Sequence, residues 1–202
     1  MSDNEHISID IETLGTERDS VILSLGAVKF DHEKIYEDDG LYLSLKWQPQ
    51  MDNGGTVTEG TIRFWLSQHR AARDAVLNKS GAVHHDKALQ QLSAWFKKNI
   101  RAPKNCCVWA KGPSFDLSLI SDLYQRSTNS QPPWPFWAER CVRTAIMLNA
   151  AYKVPHPDGM VEHHAFWDAV YQASQVRRFL VACGPAARRP PKKEDTGDDL
   201  LS

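Results

Sequence analysis

The amino-acid sequence predicts a mixed α/β sheet flanked by helices, with three antiparallel strands first and helices and strands alternating after them. Three observations carry this. The first third holds three strand-like runs joined by short polar turns. The rest is dominated by apolar stripes at helical spacing. Short β-like runs fall between those stripes. At 202 residues and 42% hydrophobic, the chain can bury one good core.

Ile7-Ser8-Ile9-Asp10-Ile11-Glu12-Thr13 alternates isoleucine with small or acidic residues, the period of a half-buried strand. After the polar turn Gly15 to Ser20, Val21 to Phe30 reads as a second, mostly buried strand. Leu41 to Trp47 alternates and reads as a third. Gln48 to Gly60, rich in Gly, Asn and Pro, is expected as a loop. Ile62, Trp65, Leu66 and His69, with Ala72 and Val76 beyond, share one helical face. Ala88, Leu89, Leu92, Trp95 and Phe96 form another. Cys106 to Ala110 is a short buried strand. Phe115, Leu117, Leu119, Ile120, Leu123 and Tyr124 give the next helix, and Ser127 to Pro135 a loop. Val142 to Ala151 carries a strand end and a helix with Thr144 as its N-cap. His163 or His164 opens a last helix that runs to about Cys183. One domain is expected over residues 1–184, and a disordered tail, Pro-rich and basic and then acidic, over 185–202. This order of elements is that of a ribonuclease H-like sheet.

The formal net charge of −1 supplies no global field for nucleic acid, so such binding rests on local patches and bound cations. No run reaches membrane-spanning length and no signal-peptide order opens the chain; no membrane partner and a cytoplasmic location are expected. Cys106, Cys107, Cys141 and Cys183 include no C-x-x-C pair and read as reduced structural thiols.

Five residues describe one metal site: Asp10, Glu12, Asp116, His163 and Asp168. Asp10 and Glu12 project from one strand face, and two adjacent carboxylates become stable neighbours when a divalent cation sits between them. A D-x-E triplet alone is weak, since roughly one is expected by chance in a chain of this size. Asp31-His32-Glu33 is such a decoy, crowded by charge and read as a solvated turn. Gly112-Pro113-Ser114-Phe115-Asp116 supplies a further acid at a strand-to-helix turn, with Ser114 a candidate cap. Four carboxylates and a histidine suit phosphodiester hydrolysis with two Mg²⁺ or Mn²⁺ ions, which hard oxygen ligands favour over zinc. In this reading Asp10 bridges the ions and Glu12 and Asp168 complete one shell. Asp116 positions the second ion, directly or through water, and His163 accepts the proton of the attacking water. Five residues advance about 500° around a helix, so His163 and Asp168 cannot share a face, and His163 belongs to the loop before the helix.

Asp10-Ile11-Glu12-Thr13, Phe115-Asp116 and His163-x-Ala165-x-x-Asp168 resemble the three motifs of the DEDDh 3′→5′ exonucleases. Thr61 to Gln68 followed by Ala72-Arg73, Trp109-x-Lys111-Gly112-Pro113-Ser114-Phe115-Asp116, and Arg143-Thr144 are similar to its phage exonuclease A and RNase AS branch. The similarity runs from about Ile7 to Val181. It implies the ribonuclease H-like fold, two divalent ions per site and release of mononucleotides from single-stranded DNA or RNA 3′ ends. DNA is slightly favoured because the branch includes phage enzymes. Thr13, Leu14 and Phe115 are the implied substrate contacts, with Leu14 a wedge against the terminal base or a simple turn residue. A homodimer is compatible with the sequence without being demanded by it. The chain departs from the pattern at Cys141, near where relatives often carry an acid before Arg143-Thr144.

Blander readings compete. His84 and His85 lack zinc spacing and read as surface or loop residues. Trp65, Trp95, Phe96 and Trp109 read as core, and Trp134 and Trp137 as packing ahead of base stacking. A non-catalytic nucleic-acid-binding subunit of the same fold is opposed by the filled catalytic positions. An endonuclease or recombinase is opposed by His163 in its H-x-A-x-x-D context.

Overall fold

The computed structural model describes residues 5–77, 80–148, 154–156, 160 and 162–183. The expected tail lies outside them. Five strands, β1 (His6–Thr13), β2 (Ile22–Phe30), β3 (Leu41–Ser44), β4 (Cys107–Ala110) and β5 (Glu139–Cys141), form one sheet in the order β3-β2-β1-β4-β5. The first three pair antiparallel, while β4 lies parallel to β1 and β5 parallel to β4. β1 is therefore the centre of the sheet. Seven α-helices accompany the strands among the described residues: α1 (Gln48–Asp52), α2 (Glu59–Ser67), α3 (Arg70–Leu77), α4 (His85–Asn99), α5 (Asp116–Thr128), α6 (Val142–Leu148) and α7 (Ala165–Cys183).

The alternation in β1 sorts its side chains into two environments. Ile7, Ile9 and Ile11 join Leu92, Phe96, Leu117 and Ile120 in the main core, beneath α4 and α5. Burying each such side chain contributes about 1.5–3 kcal/mol. The other face carries His6, Ser8, Asp10 and Glu12, and α7 lies across it. That strand is thus covered on both sides rather than half-buried: Ser8 is inaccessible, and buried His6 accepts a 3.0 Å hydrogen bond from the Trp109 indole N–H.

Gly26 allows α7 to lie this close. It stands opposite Asp10 in the β1–β2 register, and a Cβ there would overlap the Ala165 carbonyl and the Phe166 nitrogen at the start of α7. A glycine inside an apolar strand marks a place where another backbone approaches.

Three local expectations change. The segment 48–60 contains α1 and the start of α2; buried Gln50 bonds the backbone of Ile22 and Lys46, which ties the segment to the sheet. The stripe from Ile62 to Val76 is two helices. Ser67 and Gln68 side chains donate to the Phe64 carbonyl and Arg73 donates to that of Leu66, so α2 ends on side-chain partners instead of continuing. Thr144 lies inside α6 and does not cap it. Elsewhere Asp31 accepts the N–H groups of Glu33 and Lys34, making the decoy triplet the exposed turn expected of it. α5 stops at left-handed Asn129, φ 48°.

Candidate active site

A pocket of about 500 Å³ opens where β1, the turn after β4, the N-terminus of α5 and the start of α7 converge. Asp10, Glu12, Asp116, His163 and Asp168 all line it. Ligand oxygens of Asp10, Glu12 and Asp168 lie within 4.8 Å of one another. Asp10 and Glu12 arrive from one strand, and Asp168 from the first turn of α7, whose N–H donates to the His164 carbonyl at 2.9 Å.

Asp116 is held separately. It is the first residue of α5, with Phe115 as an N-cap that makes no side-chain hydrogen bond; Ser114 is exposed and caps nothing. The Gly112 N–H donates to Asp116 Oδ2 at 3.3 Å, and the Ile11 N–H donates to the same carboxylate. The Arg143 guanidinium stands beside it, and a Cβ on Gly112 would lie 3.0 Å from Arg143 Nη1. Arg143 thus serves Asp116 across the pocket. At Cys141, burial raises the thiol, but N–H groups of Thr144 and Arg143 and the Thr144 side chain together hold it below its usual range.

The electrostatics fit a cation. Burial, and then Asp116, Glu12 and Asp168, push Asp10 well above the ordinary carboxylate range. Burial and the same neighbouring acids push Glu12 up to about 8. Burial takes Asp116 to about 6 and raises Asp168 against the opposing pull of His163. Acids this crowded either hold protons or share a positive ion. An all-carboxylate donor set suits a hard divalent cation.

His163 and His164 part company. His163 lies outside α7, as the helical arithmetic requires, in a left-handed conformation with φ 60°. Its ring packs edge-on against Phe64 and Trp65. The His164 ring stacks on Tyr42 at 4.3 Å and is not part of the pocket lining.

Sequence reasoning missed Gln172. It sits one turn beyond Asp168 on α7, is 2% exposed, and donates from Nε2 to Asp10 Oδ1 at 2.6 Å. The spacing of four residues from Asp168 was its only available signal. Lys111 and Arg143 also line the pocket.

Leu14 is buried and lines a separate apolar cavity of about 290 Å³ with Met51, Ile62, Trp65 and Leu66. Phe115 lines the acid pocket. The Thr13 hydroxyl donates to the Gly15 carbonyl at 2.7 Å, and the Thr13 carbonyl accepts from Trp65 Nε1 at 2.9 Å.

Away from the pocket, His84 is the exposed N-cap of α4, its Nδ1 accepting the Asp86 N–H at 3.3 Å. His85 is buried, contrary to the surface reading. With Asp86 they cluster closely enough to hold a metal. The positive end of α4 and the nearby Arg126 oppose a cation there. Cys106 and Cys107 are buried as expected, and burial lifts Cys106 to about 11; Cys183 is exposed, so that thiol does no packing. Trp134 is core, while Trp137 is half-exposed. Among the described residues no helix is long and apolar enough to cross a membrane.

Comparison with known proteins agrees with this geometry. The chain is 22% identical over 189 residues to the exodeoxyribonuclease of Enterobacteria phage T4, covering 83% of each. Its fold matches the nuclease domain of 3′hExo, a DEDDh family member bound to rAMP, with a TM-score of 0.60 at 15% identity over 90% of this chain and 94% of that one. It also matches E. coli exonuclease I in complex with a dA16 oligonucleotide, with a TM-score of 0.60 at 13% identity over 88% of this chain and 41% of that one. Residues 5–180 match the family described as the 3′–5′ exoribonuclease Rv2179c-like domain, and the chain belongs to that family.

Proposed function

We propose that this exonuclease releases mononucleotides from single-stranded 3′ ends, with Asp10, Glu12, Asp116 and Asp168 holding two Mg²⁺ or Mn²⁺ ions and His163 acting as general base. The observation that carries this reading is the convergence of three carboxylates within 4.8 Å, with a fourth acid and an imidazole on the same pocket wall. When bound, the cations neutralise the phosphodiester, activate water and stabilise the leaving oxygen. Every other part of the task falls to the chain. Gln172 fixes Asp10 through one oxygen and leaves the other free. The Gly112 and Ile11 N–H groups, with Arg143, oppose the burial that raises Asp116. His163 accepts the proton of the attacking water from a backbone outside any helix. Phe115 from the pocket wall contacts the terminal nucleotide, and Thr13 and Leu14, at the end of the strand that bears Asp10 and Glu12, are the further substrate contacts of this reading.

Both DNA and RNA 3′ ends are substrates in this reading. The family is described as exoribonuclease and the phage relative as exodeoxyribonuclease. A 2′-hydroxyl is recognised by one hydrogen bond. The residues 1–184 act as one unit in this reading.

The test uses matched DNA and RNA oligomers labelled at either end. Stepwise metal-dependent shortening of 5′-labelled strands, with immediate mononucleotide release from 3′-labelled ones, is the expected result, and the ratio of the two rates gives the sugar preference. Full activity in excess EDTA overturns the metal reading; internal cuts overturn the exonuclease polarity.

A further inference from the structure

His163 and Asn129 are the two residues other than glycine with positive φ among the described residues. Side chains with a Cβ rarely adopt this conformation. Asn129 closes a helix, where asparagine is at home. His163 closes none, so contacts from elsewhere must hold it.

Those contacts come from α2, which carries none of the acids. The His163 ring centroid is 5.1 Å from that of Phe64 at 84°, and 5.8 Å from that of Trp65 at 83°. Phe64 and Trp65 are themselves edge-to-face at 5.3 Å and 74°. The three rings close a triangle. Neighbouring side chains on a helix diverge by about 100°, so a ring that meets both lies in the cleft between them. The quadrupoles of aromatic rings favour this edge-on arrangement over face-to-face stacking. Trp65 is 2% exposed, and its indole N–H donates to the carbonyl of Thr13, the residue after Glu12. The bracket is therefore anchored on the strand that bears Asp10 and Glu12. Phe64 is 39% exposed, and its aromatic contacts are with Trp65 and His163.

We propose that Phe64 and Trp65 are positioning residues for His163: they hold the imidazole in the left-handed conformer that turns it into the acid pocket, and they tie that position to the strand carrying the metal ligands. This rests on the reading of His163 as the general base. Trp65 supports the bracket from within the core, so Phe64 is the residue to change.

The experiment compares the full chain with Phe64→Ala, Phe64→Tyr, His163→Ala and the double variant Phe64→Ala/His163→Ala. Three quantities are measured: kcat at saturating Mg²⁺ and oligonucleotide, Kd for the oligonucleotide in Ca²⁺, and the ring C–H resonances of His163 without metal. Phe64→Ala should lower kcat about 10–100-fold, as small misplacements of a reacting group do. Kd should stay within about twofold, the sign of an interaction that matters after binding. Phe64→Tyr should restore kcat. In the His163→Ala background Phe64→Ala should change nothing further, and Phe64→Ala should shift and broaden the His163 resonances. Unchanged kcat in Phe64→Ala overturns the proposal. So does a raised Kd with kcat intact, which would make Phe64 a nucleobase contact, and so does an additive loss in the double variant. Wild-type turnover in His163→Ala would instead remove His163 as the base, while its resonances would still report whether Phe64 holds the ring.

Discussion

The pocket sets two kinds of backbone side by side. Asp10 and Glu12 stand on a strand at the centre of the sheet, and Asp10 faces Gly26 across a regular ladder. His163 stands outside any helix, in a left-handed conformation that residues with a Cβ rarely adopt, with ring contacts from another helix. The difference follows from the role proposed for each. Acids that share an ion must keep fixed separations despite their repulsion, and a paired strand supplies that. A base must meet a substrate oxygen that arrives and leaves, and a side-chain bracket supplies position without fusing the base to the sheet.

The largest test of the contrast is at the rigid half. Asp10→Asn should abolish turnover, because it removes the acid proposed to bridge the ions. Without metal at pH 8 it should raise Tm by at least about 2 °C, the shift that one kcal/mol gives in a domain of this size. The asparagine still accepts from Gln172, whereas Asp10→Ala leaves that buried amide unpaired and should gain less. Near wild-type turnover in either variant would sink the site assignment.

At the bracketed half, His163→Ala should reduce kcat by roughly 10²–10⁴-fold while oligonucleotide binding is kept, since it removes the proposed proton acceptor and none of the proposed ion ligands. His164→Ala should do much less, its ring lying on Tyr42 away from the pocket. If His164→Ala proved the dead enzyme, the third motif would be read one residue out of register.

Gly26→Ala sharpens the comparison by disturbing the seam between the halves. Overpacking against the α7 backbone should destabilise the fold by about 1–3 kcal/mol. It should also weaken Mn²⁺ binding, because Asp168 and Gln172 move off β1 together. Calorimetric titration reads the affinity and thermal melts the stability; loss of stability with unchanged affinity would separate the helix seam from the ligand geometry.

A further test is in pH. Glu12 sits near 8 in the fold against about 4.5 when free, so between those values the native state holds more protons than the unfolded chain. Stability of the metal-free protein should therefore fall as pH rises through that window, and Asp10, Asp116 and Asp168 add in the same direction. Mg²⁺ competes with those protons, so its increment in Tm should grow from pH 5.5 to pH 8.5. An increment independent of pH would mean that the ion binds elsewhere.

Much of this was legible in the chain. Asp10 and Glu12 were readable because a strand period leaves only one arrangement of their side chains. His163 was placed off the helix by angular arithmetic from Asp168. Gln172 was not readable: a glutamine on a helix face looks solvated until the fold buries it against Asp10. Gly26 lay hidden in an apolar run that any buried strand would show. α1 was lost in a Pro- and Gly-rich stretch, because five residues give too little periodicity to register. The break between α2 and α3 has no glycine or proline to announce it; side chains that compete for the Phe64 and Leu66 carbonyls make it, and such competition leaves no compositional trace.

The docking of α7 over Gly26 also sets a clock. Asp10 and Asp168 are separated by most of the chain, and long-range contacts close late because loop entropy must be overcome first. The meander β1–β2–β3 is local and can form early, presenting two acids but no complete ligand set. Mn²⁺ affinity during refolding should therefore appear in step with α7 and not with the sheet. Stopped-flow refolding followed at once by far-UV ellipticity and by Mn²⁺ relaxivity would resolve the two phases, and the ion would serve as a reporter of the last tertiary event.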